Sequence, residues 1–268
     1  MERPLVSAVV LNYRTAKAAI PAVRSLLRQS IGDRVEVLLV DNHSDDDSVG
    51  LLRNTFRAEP RVRMVETNVN RGYGQGNETA VRLANGEFLL IINPDNELEP
   101  EGLEKMIAVL EAEKDIGILG PKLVFEDGSV RDSYRTFPRM SDVFIKRTFL
   151  RALFPQRMRR YLQHDANPDE TRDVDWLAGA CLLMRTSFYR ELGGFDPQFF
   201  LFFEDTDLCR RCWRAGKRVV YCPSVLATDR KHRLSEGGFL TLLTKWTVRT
   251  HLKSALKYFW KWRGQGVW

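Results

Sequence analysis

The feature that most constrains this chain is an alternation running through its first 120 residues. Short, unbroken apolar runs take turns with amphipathic stretches of helical period. Val6 to Leu11, Val35 to Val40, Val62 to Val65, Phe88 to Ile92 and Ile116 to Leu119 read as strands. Ala16 to Arg28, Ser48 to Arg57, Gln75 to Ala84 and Pro100 to Ala112 read as helices between them. A strand that is apolar on both sides must be covered on both faces, so the pattern predicts an α/β fold: a mostly parallel central sheet flanked by helices. Sheets of this kind bind ligands beyond the carboxyl ends of their strands.

Those ends are polar. The first closes on Asn12-Tyr13-Arg14, the second on Asp41-Asn42-His43-Ser44 followed by Asp45-Asp46-Asp47. The third closes on Asn68-Val69-Asn70-Arg71-Gly72-Tyr73-Gly74-Gln75-Gly76, the fourth on Asn93-Pro94-Asp95. Four successive ends supply carboxylates, amides and a glycine loop to one rim. The second half is less regular. Glu126-Asp127-Gly128 suits a hairpin turn, Val174 to Arg185 is apolar but interrupted by Gly179, and an aromatic run, Phe199 to Phe203, leads into Glu204-Asp205 at the start of a helix.

Composition bounds the partners. At 44% hydrophobic and 28% charged residues the chain is no disordered polymer. Its net charge of +6 equals the six basic residues that follow Gly237 (Lys245, Arg249, Lys253, Lys257, Lys261 and Arg263), where no acid occurs. The body is therefore neutral in net terms, and no nucleic acid is expected as a partner. No apolar run reaches the ~20 residues that cross a bilayer. Met1 to Pro4 passes straight into a strand without a signal-peptide core, so the expected place is the cytosol. Cys209-Arg210-Arg211-Cys212 has half the spacing of a zinc site without a second pair, which favours structural thiols.

Each motif also has a bland reading. The glycine loop lacks the Gly-Lys-Ser/Thr of a triphosphate loop and follows the third strand; it suits either a helix-capping turn or a close backbone approach to a ligand. Asn93-Pro94-Asp95 is a common turn, or a carboxylate placed to hold a divalent cation. Charge narrows the choice, because a carboxylate about 4 Å from a phosphate charge is repelled by roughly 1 kcal/mol even in water. If Asp95 serves a phosphorylated ligand, a cation stands between them. Glu204 and Asp205 are either acids favoured at a helix N-terminus or a base raised by apolar surroundings.

In order and at these spacings, the segments resemble the family 2 glycosyltransferases, particularly their bacterial rhamnosyltransferase-like branch. The segments are Val9 to Tyr13, Leu39 to Ser44, Asn68 to Gly74, Leu90 to Asp95, Asp175 to Cys181, Gly193 to Asp196 and Phe200 to Arg210. The resemblance implies the GT-A fold, with residues 1–120 as a nucleotide-sugar-binding half, 121–236 as an acceptor-binding and catalytic half, and 237–268 as a basic amphipathic helical tail. It implies an inverting, metal-dependent transfer from a dTDP- or UDP-linked donor to a glycan or lipid-linked acceptor, in cell-envelope polysaccharide assembly. Residue by residue, Asn12 and Asp41 look like nucleoside contacts, and Asn70, Arg71 and Gly72 like the loop beside the donor. Asn93 and Asp95 stand where the family has its Asp-x-Asp motif, Asp95 holding Mg²⁺ or Mn²⁺. Asp205, paired with Glu204, looks like the general base.

The chain departs from the family at one point. A metal-ligating His usually follows the equivalent of Pro223 by five or six residues; here Thr228 and Asp229 stand there and His232 comes later. Three outcomes stay open: Asp229 as an oxygen ligand, His232 reaching back, or a metal held more weakly. Two other classes stay open at this stage, a non-catalytic nucleotide-sugar-binding relative and a nucleotidyltransferase. In the tail, basic residues recur every four positions from Lys245 to Lys261, with Leu242, Trp246, Leu252, Leu256, Phe259 and Trp260 among them. Such a helix suits an anionic membrane surface through residues 239–263, on the inner face of the cell membrane, or packing of its apolar side on the domain.

Overall fold

The computed structural model describes residues 3–146, 150–229 and 246–265. The strands are β1 (Val6–Asn12), β2 (Val35–Asp41), β3 (Val62–Glu66), β4 (Phe88–Ile92), β5 (Asn96–Leu98), β6 (Ile116–Phe125), β7 (Tyr134–Arg135), β8 (Arg172–Asp173), β9 (Trp176–Leu177), β10 (Cys181–Arg185) and β11 (Arg218–Asp229). The helices are α1 (Ala16–Leu27), α2 (Ser48–Phe56), α3 (Gly72–Val81), α4 (Gly102–Ala112), α5 (Met140–Lys146), α6 (Leu150–Leu153), α7 (Pro155–Leu162), α8 (Thr186–Glu191), α9 (Glu204–Arg214) and α10 (Trp246–Lys261).

One sheet runs in the order β3-β2-β1-β4-β10-β6-β11-β5, with β8 beside β11. The β3-β2-β1-β4 block is parallel, as is β6-β11. Between them β10 enters antiparallel to both neighbours. This single insertion draws residues 181–185 next to the first four strands, and β6 itself runs through residue 120, so both halves of the chain share the sheet.

The two-sided apolar strands do what their composition requires. Along β1, Val6, Ala8 and Val10 face a core shared with α1, α2 and α4, whereas Val9 and Leu11 face a second core shared with α3, α8 and α9. Successive side chains of a strand point to opposite faces, so each residue of the run finds a covered side.

The tail helix packs on the domain, one of the two readings of its sequence, but through other residues than its pattern marked. Its inner side is Val248, Ser254, Ala255 and Tyr258, and it packs with Trp262 against Val143 of α5 and against Phe199 and Phe203. Trp246, Leu256 and Trp260, expected on the packed side, are exposed. A spacing of four residues advances about 40° per step at 3.6 residues per turn, so the basic stripe rotates off its face. Lys261 has turned inward and pairs with Asp196 and Asp207, each at 2.7 Å. Lys245 lies outside the described residues. Among them, no helix is long and apolar enough to cross a membrane.

Candidate active site

The carboxyl ends of β1 and β2 lie in register, Asn12 opposite Asp41. Both are buried. The Asn12 amide nitrogen donates to Asp41 Oδ2 at 2.6 Å, and the Ser44 backbone N–H donates to Oδ1 at 2.8 Å. Asn12 Oδ1 accepts from the Thr15 backbone N–H at 3.0 Å. The amide of Asn12 is thus committed to the protein, which sets this residue behind Asp41 rather than on an open surface.

Next to them, the Asn42 side chain ties β2 to the glycine loop. Its nitrogen donates to Asn70 Oδ1 at 3.0 Å and to the Gly72 carbonyl at 3.1 Å, and its oxygen accepts from the Arg71 N–H at 3.1 Å. The Gly72 N–H donates to Asn70 Oδ1 at 2.9 Å. These bonds start α3 at Gly72, three residues ahead of its expected start, although glycine is a poor helix former. The glycines serve close packing within the protein. Gly72 has φ of +78°, and a Cβ there would lie 2.0 Å from the Phe200 carbonyl oxygen. At Gly74 a Cβ would sit 3.0 Å from that of Phe195, and at Gly76 3.1 Å from the Asn42 amide. Arg71 is exposed.

The peptide at Gly179, the glycine that interrupts the apolar run, gathers the remaining groups. Its N–H donates to Asp205 Oδ2 at 2.9 Å. Its carbonyl accepts the Tyr73 hydroxyl. One residue on, the Ala180 carbonyl accepts the Asn93 N–H at 2.8 Å, which fixes the turn carrying Asp95. Burial drives the Tyr73 hydroxyl well above its ordinary pKa, and the negative charges of Glu204, Asp205 and Asp95 push it further the same way. Asp95 and Asp205, 110 positions apart in the numbering, therefore both act electrostatically on one tyrosine. Asp41 joins the same assembly through Asn42, Gly72 and the start of α3. Tyr73 and Gly179 were not singled out from the sequence as site residues; an isolated glycine inside an apolar run was the available signal.

Glu204 and Asp205 open α9. Burial raises the Glu204 carboxyl well above its usual range, and the neighbouring Asp205 charge adds to this. Glu204 Oε2 has no hydrogen-bond partner. Asp205 is also raised by burial, but the N–H groups of Gly179 and Thr206 and the charge of Arg135 pull it back. Glu204 is thus the more strongly raised of the two, and Asp205 the one whose carboxylate the surrounding groups favour.

The residues around Asp95 fit a divalent cation in one particular way. Among the described residues no three acidic, His or Cys side chains cluster as a closed metal cage. Asp229, one expected ligand, is buried in an ion pair with Arg131, so its charge is already matched. His232, the other, lies outside the described residues. What stands at the rim is Asp95 beside Asn93, with both polar atoms of the fully buried Asn96 amide lacking partners immediately behind it. One carboxylate suits a hard cation that keeps waters and takes its other oxygens from a diphosphate.

The segment leading into Glu204 is strained and braced. Phe202 and Phe203 have φ of +69° and +70°, a conformation that costs about 1–2 kcal/mol per non-glycine residue. Helix α10 holds them there. Ser254 Oγ donates to the Leu201 carbonyl at 2.8 Å, Lys257 Nζ to the Gln198 carbonyl at 2.7 Å, and the His251 ring packs on both phenyl rings. Asp207, two residues after Asp205, accepts from Trp262 Nε1 at 2.9 Å. This brace is formed by residues remote in sequence and was not foreseen.

The family model for glycosyl transferase family 2 matches residues 7–193, which include Asn12, Asp41, the glycine loop and Asp95. The chain belongs to glycosyl transferase family 2. An N-acetylglucosaminyl-diphospho-decaprenol L-rhamnosyltransferase of Mycobacterium tuberculosis is 34% identical over 206 residues, covering 71% of this chain and 64% of that protein. The chain thus spans under two thirds of that relative's length. Rhamnosyltransferase WbbL of Escherichia coli is 29% identical over 197 residues, 70% of this chain and 69% of its own. Among solved structures, GalNAc-T7 with UDP, GalNAc and Mn²⁺ superposes with a TM-score of 0.67 at 14% identity, over 95% of this chain and 48% of that one. A Pyrobaculum calidifontis mannosyltransferase in complex with GDP-Man and Mn²⁺ gives 0.60 at 19% identity, over 88% and 59%. The likeness to these two structures is one of fold, the GT-A arrangement. The family match supports a glycosyltransferase rather than a nucleotidyltransferase.

Proposed function

We propose that this chain is an inverting glycosyltransferase that moves a sugar from a dTDP- or UDP-linked donor to a hydroxyl of a glycan or lipid-linked acceptor in cell-envelope polysaccharide assembly. The observation that carries this reading is the Gly179–Ala180 junction, which bonds Asp205 and Tyr73 on one side and the turn of Asp95 on the other. The relatives' names, two rhamnosyltransferases, support the reaction class, and one of them names a diphospho-decaprenol compound, which supports a lipid-linked acceptor. Residues 3–120 serve as the donor half, and 121–229 supply the catalytic acids and the acceptor side.

Asp41, oriented by Asn12 and Ser44, faces the nucleoside, with Asn70, Arg71 and Gly72 forming the wall beside it. Asp95, on the turn that the Asn93 N–H ties to Ala180, would hold a divalent cation, and that cation would supply neutralisation of charge on the diphosphate. Asp205 removes the proton of the acceptor hydroxyl. The acceptor oxygen bonds the anomeric carbon as the bond to the diphosphate oxygen breaks on the opposite face, and the proton stays on Asp205. The Gly179 and Thr206 N–H groups aim Asp205 and oppose the rise that burial gives its carboxyl. Glu204, buried and the more strongly raised, takes up a proton ahead of it.

A screen of dTDP-, UDP- and GDP-sugars for thermal stabilisation, with and without Mn²⁺, tests the reading. A Mn²⁺-dependent rise that Asp95→Asn abolishes is expected. Stabilisation that ignores both Mn²⁺ and Asp95→Asn contradicts the assignment of Asp95.

A further inference from the structure

The outward side of α10 is a surface in its own right. With its inner face spent on Phe199, Phe203 and α5, the helix exposes Trp246, Arg249, Lys253, Leu256, Lys257 and Trp260, followed by Arg263. At 100° per residue these seven fall within a sector of about 120°. Trp246, Leu256 and Trp260 are 58, 62 and 70% exposed, and the Arg263 guanidinium lies 3.5 Å from the centre of the Trp260 ring. Four of the seven are cations, and no acidic residue occurs anywhere from Gly237 to Trp268. The adjoining α5, packed on α10 through Val143, leaves Met140 and Phe144 more than half exposed as well.

Large apolar side chains left in water at helical spacing call for a cover, and the charges around them say what kind. The face has basic residues and no acid of its own, so a protein partner of mixed charge would find no cation-binding group on it. A sheet of anionic headgroups matches the basic residues and gives tryptophan rings the interfacial depth they favour. The helix is too polar to cross a bilayer, so it lies on one. We propose that the outward face of α10, centred on Lys253, Leu256 and Trp260, docks on an anionic phospholipid surface. The assignment rests on this face alone and stands apart from the reading of Asp205.

The test is co-sedimentation of the full chain with phosphatidylglycerol–phosphatidylcholine vesicles and with phosphatidylcholine vesicles, at low and high salt. Binding to the anionic vesicles alone, released by salt, is expected. Each basic residue near an anionic surface contributes roughly a fivefold factor, so Lys253→Glu with Arg263→Glu should weaken partitioning by at least about 25-fold on that scale. Trp260→Ala with Leu256→Ala should weaken it at either salt concentration. Both variants should keep the wild-type thermal stabilisation by nucleotide sugar, which separates this test from the proposed reaction. Three results overturn the proposal. One is wild-type protein left in the supernatant with anionic vesicles at low salt. Another is equal binding to neutral vesicles. The last is a concentration-dependent dimer that Trp260→Ala dissolves while no vesicle is bound, which would make the face a contact between copies of this chain.

Discussion

Asp207 is the residue through which the tail helix grips the helix that carries Asp205, and its removal has a calculable consequence. The carboxylate is fully buried and accepts from Arg211 Nε at 2.8 Å, Lys261 Nζ at 2.7 Å and Trp262 Nε1 at 2.9 Å. Breaking a buried pair by deleting one partner costs about 3–5 kcal/mol, because the other charge is left unmatched. Here the survivors have fallback partners. Lys261 keeps Asp196 at 2.7 Å, and Arg211 keeps the carbonyls of Leu192 and Gly194 at 2.6 and 2.7 Å. Only the Trp262 indole is orphaned. The loss for Asp207→Ala therefore belongs at the low end, about 3 kcal/mol. At roughly 2–4 °C per kcal/mol for chains of this size, the melting temperature should fall by about 6–12 °C. Circular dichroism melts read the shift, and limited proteolysis should cut first in α10. Lys261→Met, which leaves Asp207 with Arg211 and Trp262, should cost about 1 kcal/mol. A fall under about 2 °C for Asp207→Ala, with α10 still resistant, would refute this account of how the catalytic helix is held.

Two further outcomes follow from single residues. Glu204 has a folded-state pKa raised above its ordinary 4.5, so its contribution to stability is full below that value and is lost as pH rises toward the raised one. Glu204→Gln, which has no charge to bury, should melt higher than wild type at neutral pH and converge with it near pH ~4; parallel melting curves across this range would show Glu204 is not held neutral. Gly72→Ala and Gly128→Ala both place a Cβ at φ of +78°, but the first meets Phe200 at 2.0 Å and the second meets nothing within 4 Å. The second should lose about 1–2 kcal/mol and the first clearly more, read from melting temperatures; equal losses would mean the Gly72–Phe200 contact is dispensable.

Local pattern carried the first half of the fold. β1 to β4 and helices α1, α2 and α4 are near where apolar period placed them, because each is decided by its own residues. α3 starts earlier than its glycines suggest, since Asn42, Asn70 and Phe200 supply bonds that propensity does not include. β10 was an apolar run of undecided use; its antiparallel place depends on β4 and β6, far away in sequence. Asp41, Asp95 and Asp205 were legible as strand-end and helix-start acids. The link between Asp205 and the turn of Asp95 was not, because it passes through the Gly179–Ala180 junction. The four-residue basic repeat of the tail did not mark a single face, since a drift of about 40° per step carries Lys261 inside while three large apolar residues stay outside.

The claim on which the rest depends is the proposal that Asp205 is the base, linked to the turn of Asp95 through the Gly179–Ala180 junction. Asp205→Asn keeps the size of the side chain and an oxygen for the Gly179 N–H, and removes the proton acceptor. With the nucleotide sugar that stabilises the wild-type protein, its turnover should fall by about 10²–10⁴, while the affinity for that nucleotide sugar stays within about twofold. Turnover equal to wild type would contradict the account.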